Sequence, residues 1–235
     1  AKAIPEQVPA NAFSTSAGMS LGGETDQGDF VMTYAIAGGY GGSRTLDGLS
    51  HCTPPYARAR MPSVEVMENQ YPVRYHEKQL RQDSGGAGFR RGGLGTVYDI
   101  EILCEKAGFS VVGDRCDYTP SGVAGGKPAP GTEFVYLRDG DEYVSPLRTK
   151  EQELALSRGD HIRMKSPGGG GYRPPHEREV ERVLRDVQRG YVSRQHARDE
   201  YGVVVVERNG QLKVDREATR QCRQQVASGE EGTRT

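Results

Sequence analysis

Hydrophobic and polar positions divide the chain near residue 173. From Phe30 to Lys165 the apolar residues come in short runs rich in valine, isoleucine, tyrosine and phenylalanine, broken by glycine, which is the pattern of half-buried strands. Residues 29–37 predict a first strand ended by Gly38, Gly39, Gly41 and Gly42, whereas residues 1–28 are mixed and read as loop. Thr96 to Leu103 alternates, and residues 109–113 are expected to pair with it as an antiparallel hairpin across residues 106–108. Residues 133–137 and 142–145 predict a second hairpin turning through residues 138–141, and residues 160–165 a further strand. Ser63 is a good N-cap with Val64 and Met67 on one face behind it, but Pro72 allows only a short helix.

Beyond Tyr172 the period lengthens to that of a helix. Val180, Val183, Leu184 and Val187 make one stripe, with Pro174 and Pro175 before it and Gly190 after it. Ser193 caps a second helix stopped by Gly202, and residues 203–214 form a hairpin turning at Asn209 and Gly210, the pair favoured in type I′ turns. Asp215 caps a last helix reaching to around Val226, after which the chain should fray. The expected fold class is α+β: a mainly antiparallel β region with glycine-rich loops over residues 1–172, a helix and hairpin region over 173–226, and a frayed tail over 227–235.

Composition narrows the function. Only 34% of the 235 residues are apolar, 32 are glycine and none is tryptophan, so the core is thin for the length and should depend on a partner. The 31 basic and 32 acidic residues cancel, leaving no field that would favour nucleic acid or an anionic membrane. Cys52, Cys104, Cys116 and Cys222 are widely spaced and match no zinc pattern, which predicts reduced thiols and a cytoplasmic location. No apolar run is long enough to span a bilayer, and no signal peptide is visible. The first residues lack an initiator methionine and read as a connection, so a segment of a longer protein is expected.

Candidate chemistry centres on two glycine clusters. Asp83 to Gly95 holds six glycines around Arg90 and Arg91, and Ser166 to Tyr172 holds four more. A shaped loop presenting both arginines competes with a tight structural connection, because glycine serves both positive φ and close backbone approach. The amides of Gly168 to Gly171 form either an anion-binding nest or a structural turn. Neither cluster is a dinucleotide fingerprint or a P-loop: Arg91 and Pro128 occupy places that those motifs give to glycine and to serine or threonine. The five histidines have no metal-ligand spacing, and Ser84 lies in no nucleophile elbow. Glu65 and Glu68, three apart on the short helix, share a face directed either into a site or into solvent.

Pro62 to Val73, Asp83 to Gly95, Gly125 to Pro128, Gly159 and Asp160, Ser166 to Tyr172, Asp186 to Ser193, Ala197 to Val203 and Val214 to Arg220 together resemble, in this order, the hydantoinase B/oxoprolinase family. The match is to the C-terminal part of that family's subunit. Two blocks depart from it: Arg173 and Pro174 replace the usual glycine and aspartate, and the tryptophan common before Gly125 is missing. The resemblance implies part of an ATP-dependent hydrolase that opens a cyclic amide or imide of the hydantoin or 5-oxoproline type. ATP and magnesium would belong to a hydantoinase A-type ATP-binding partner, and a divalent zinc or manganese to the N-terminal half of the hydantoinase B-type chain, so that this segment binds neither and is inactive alone. A hetero-oligomer with both partners and a small-molecule substrate follows. Related acetone and acetophenone carboxylases make an ATP-dependent, biotin-independent ketone carboxylase the alternative, and a non-catalytic assembly scaffold is the other. In this frame Arg90 and Arg91 would stabilise an anionic intermediate, because guanidinium binds phosphate or carboxylate in bidentate fashion, with Glu65 and Glu68 as further site candidates.

Overall fold

The computed structural model describes residues 4, 7–14, 17–54 and 62–231, with side chains as far as residue 225. Its strands are β1 (Gly18–Thr25), β2 (Gly28–Ala35), β3 (Val73–Leu80), β4 (Thr96–Ile102), β5 (Lys106–Val112), β6 (Glu133–Arg138), β7 (Asp141–Tyr143), β8 (Lys150–Leu156), β9 (His161–Lys165), β10 (Val205–Arg208) and β11 (Gln211–Val214). Its α-helices are α1 (Val64–Gln70), α2 (Val180–Gln188), α3 (Arg194–Tyr201) and α4 (Arg216–Glu231). The fold is α+β, with every strand pair antiparallel.

Two sheets, ordered β2-β1-β5-β8 and β3-β4-β9-β6-β7, contribute to one shared apolar core. Tyr34 meets Tyr98 edge-on with centroids 5.9 Å apart, and Phe109 meets Tyr136 at 5.5 Å, so aromatic rings join the two layers. β4 shows the alternation that drives this, burying Thr96, Tyr98, Ile100 and Ile102 while the residues between them are partly exposed.

The expected hairpin between residues 96–103 and 109–113 does not form. β4 is flanked by β3 and β9, and β5 by β1 and β8, so the link through Leu103 to Glu105 crosses from one sheet to the other. Alternation records which face a strand buries, and it is silent on the neighbour. Three further strands lie where the sequence pattern predicts loop or no regular element. β3 and β8 are edge strands rich in charge, as edges that resist further pairing are. β1 carries glycine because a Cβ at Gly23 would stand 2.3 Å from the Lys106 carbonyl oxygen on the adjacent strand.

The expected α1 forms, with the Ser63 hydroxyl accepting from the Val66 N–H and Met67 buried. Hairpin β6-β7 also forms, with Tyr136 opposite Tyr143. Past Tyr172, Ser193 caps α3 and Gly202 ends it at φ 62°, and β10-β11 turns through Asn209 and Gly210, both at positive φ. α4 starts at Asp215, whose carboxylate accepts from the Ala218 N–H, and runs to Glu231, five residues beyond the end expected at Val226. Residues 232–235, the end of the expected tail, lie outside the described residues. These helices and this hairpin build a second core around Val183, Val187, Tyr201 and Val203, joined by Ala87 from the first glycine cluster.

Candidate functional site

The two glycine clusters are halves of one object. Segments 39–42, 85–95, 121–127 and 168–171 lie against one another in direct backbone contact. Gly86 N–H donates to the Gly169 carbonyl at 2.8 Å, Gly169 N–H to Gly93 at 2.9 Å, Gly171 N–H to Lys127 at 2.9 Å, and Gly42 N–H to Gly170 at 2.9 Å. A Cβ on Gly169 would sit 2.1 Å from the Tyr40 carbonyl carbon, and one on Gly92 would sit 1.8 Å from the Gly169 oxygen. The glycines with positive φ all lie outside segments 85–95 and 168–171, so close approach is what these two clusters require. The amides of Gly169, Gly170 and Gly171 are consumed by carbonyls of Gly93, Asn11 and Lys127, which removes them from an anion-binding nest. The result is a wall of stiff backbone.

The adjacent arginines take opposite roles on it. Arg91 is buried. Its backbone N–H donates to Asp47 at 2.9 Å, its Nε to Asp186 at 3.4 Å and a terminal nitrogen to the Gly92 carbonyl at 2.6 Å, while its guanidinium lies over Tyr191. Arg178, only 2% exposed, donates to both Asp47 oxygens at 2.7 and 2.9 Å, to Asp186 at 2.8 Å and to the Phe89 carbonyl at 3.0 Å. Burial pushes the Asp47 carboxyl up, but hydrogen bonds from Arg178, its charge and that of Arg91 outweigh it and hold the group below its ordinary value. This knot of two guanidiniums and two carboxylates ties the wall to α2.

Arg90 is half-buried and, among the described residues, has no ion-pair or hydrogen-bond partner for its guanidinium. It lies over the Phe89 ring at 4.7 Å, and Arg173 lies over the same ring at 4.9 Å. Arg90 and Tyr172 exchange backbone hydrogen bonds, so both arginines are held on the wall's edge. Arg173 sits at φ 60°, a left-handed conformation costly for a residue with a Cβ, and pairs with Glu177.

Glu65 and Glu68 are both exposed and, among the described residues, neither is paired with Arg90 or Arg91. Glu68 accepts from the Tyr75 backbone N–H at 2.7 Å, pinning α1 to β3. The Glu65 carboxyl is held below its ordinary value by its own backbone N–H and then by the Ser63 hydroxyl. Ser84 is buried, donating to Arg81 and accepting from Gly95. Asp47, Arg178 and Asp186 belong to this candidate site without being announced by the sequence: two acidic residues and an arginine look like solvated surface until the fold brings them together. Among the described residues no three His, Cys, Asp or Glu side chains are placed to hold a metal ion. No helix among them is long and apolar enough to cross a membrane.

The family model for hydantoinase B/oxoprolinase matches residues 1–175. The chain belongs to the hydantoinase B/oxoprolinase family. As a member of it, the chain is 35% identical to the beta chain of the caprolactamase of Pseudomonas jessenii, covering 90% of this chain and 38% of that one. It is 30% identical to the B chain of a putative D-/L-hydantoinase of a Pseudomonas species, covering 95% of this chain and 37% of the relative. Less than two fifths of these relatives' length is therefore represented. An ATP-dependent acetone carboxylase structure superposes over 100% of this chain and 36% of its own with a TM-score of 0.84 at 24% identity, a likeness of fold.

Proposed function

We propose that this chain is part of an ATP-dependent amidohydrolase that opens a cyclic amide or imide. It acts with the N-terminal half of a hydantoinase B-type chain and a hydantoinase A-type ATP-binding partner, in a cytoplasmic hetero-oligomer. The observation that carries this reading is the identity, over nine tenths or more of the chain, to relatives named for hydantoin and caprolactam. ATP, bound with magnesium by the partner, would activate the amide carbonyl, and water would then open the ring. Zinc or manganese would be held by the N-terminal half.

In this reading the chain supplies a wall rather than a nucleophile. Arg90, stacked on Phe89 and without an ion-pair partner among the described residues, meets the anionic intermediate, while Arg91, engaged by Asp47 and Asp186, positions the loop that carries it. Glu65 and Glu68 serve the short helix, and Glu65→Ala and Glu68→Ala test whether they also take a direct part in the chemistry.

The experiment is co-expression with both partners and measurement of ATP-dependent opening of hydantoin, 5-oxoproline and caprolactam. Arg90→Ala is expected to leave assembly intact and lower kcat by about 100-fold, the usual cost of removing one donor to a developing anion. Bicarbonate-dependent consumption of a ketone would replace the hydrolase reading with a carboxylase. Loss of assembly alone would make the chain a scaffold.

A further inference from the structure

β3 contains an irregularity that places a lysine on the core side of the sheet. It pairs with β4 through Val73, Arg74 and Tyr75, and again from Glu77 to Leu80, leaving His76 over. A one-residue bulge turns the strand across its faces. Ahead of it Val73 and Tyr75 lie opposite the inward Ile102 and Ile100; behind it Lys78 and Leu80 lie opposite the inward Tyr98 and Thr96. Lys78 reaches over the Tyr75 and Tyr98 rings, 5.9 and 6.0 Å from their centroids, and donates to the Pro62 carbonyl at 2.9 Å.

A cavity of about 240 Å³ opens at this point, lined by His51, Lys78, Gln79, Leu80 and Thr96. His51 holds φ 54°, strained for a residue with a Cβ, and its buried Nδ1 has no hydrogen-bond partner among the described residues. An inward lysine on an edge strand is a known defence against further strand pairing. That role accounts for the ammonium and leaves the strained histidine, its orphaned nitrogen and the open volume unexplained.

We propose that this cavity is a binding site for a small aliphatic carboxylate. The ammonium of Lys78 and an N–H of His51 hold the carboxylate oxygens, and Leu80 with the lysine stem contacts the alkyl part. The electrostatics agree: burial lowers the Lys78 pKa, partly opposed by Glu65, and burial and then the Lys78 charge lower that of His51. A bound anion relieves both penalties. The site adjoins the wall, since the His51 N–H donates to the Leu94 carbonyl at 3.1 Å, but its lining includes neither Arg90 nor Arg91 and it does not depend on the ring-opening reading.

The test is calorimetric titration of butyrate into the full protein with the chains that copurify with it, without ATP or cyclic amide. Saturable binding is expected, weakened by about tenfold or more in Lys78→Met and largely kept in Lys78→Arg, since one charge-assisted hydrogen bond is worth at least that factor. Butyramide should bind far more weakly, and butyrate should raise the His51 pKa followed by NMR. Absent binding, equal affinity for butyramide, or butyrate binding unchanged in Lys78→Met overturns the proposal. Should Lys78→Met fail to fold, Leu80→Phe fills the cavity while keeping the charge; abolished binding supports the site and unchanged binding overturns it.

Discussion

Arg173 concentrates two opposing effects in one residue. Its guanidinium packs on Phe89 and pairs with Glu177, while its backbone sits at φ 60°. Replacing it by alanine or by glycine removes the same contacts, but only glycine relieves the left-handed strain. Arg173→Gly should therefore be more stable than Arg173→Ala by about 1 kcal/mol in urea unfolding, and equal stabilities would show that this backbone carries no strain. Arg178 is the larger liability. Arg178→Met should destabilise by about 3–5 kcal/mol, because Asp47 and Asp186 would be left desolvated without their main cation. The sequence pattern marks Arg90 and Arg91 as a pair and gives no reason to separate them. Adjacent residues on extended backbone point to different sides, which is why one guanidinium is tied into the knot and the other has no polar partner among the described residues.

At the scale of elements, the interlocked glycine segments replace side-chain packing with backbone contact. Gly169→Ala should prevent the wall from closing and cost more than about 3 kcal/mol, seen as a lost or sharply lowered thermal transition, since the clash is with backbone that cannot move aside. The outer face of the five-stranded sheet contributes a pH response. Burial raises the Asp99 carboxyl, but hydrogen bonds from His161 and Arg163 outweigh it, and Glu101 is lowered chiefly by its hydrogen bond with His76. With Asp47 lowered as well, these groups stabilise the fold fully above the ordinary carboxylate range and lose that effect as pH falls through about 4 and below. Unfolding by urea should therefore grow easier on acidification through that range, and Asp99→Asn should flatten the slope. The elements legible in advance were those with their own punctuation, such as α3 between Ser193 and Gly202. β3 and β8 were not, because a charged edge strand has one weakly patterned face and no turn signal of its own.

Across the whole molecule, a sandwich of two antiparallel sheets and a small helical unit are joined through the glycine wall and the Asp47, Arg91, Arg178 and Asp186 knot. Removing Arg178 and disturbing Gly169 act on the same junction, so their combined cost should fall short of the sum. The chain by itself determined the α+β class, the capped C-terminal helices, the I′ hairpin and the family, because each is written in local periodicity, in cap and turn residues, or in the order of short motifs. Only the tertiary structure decided that β4 and β5 belong to different sheets, that two glycine clusters about 80 residues apart form one wall, that Arg91 is enclosed while Arg90 is not, and that a bulge at His76 turns Lys78 inward. Those outcomes depend on which distant backbone arrives alongside, and neither alternation nor composition carries the identity of that neighbour.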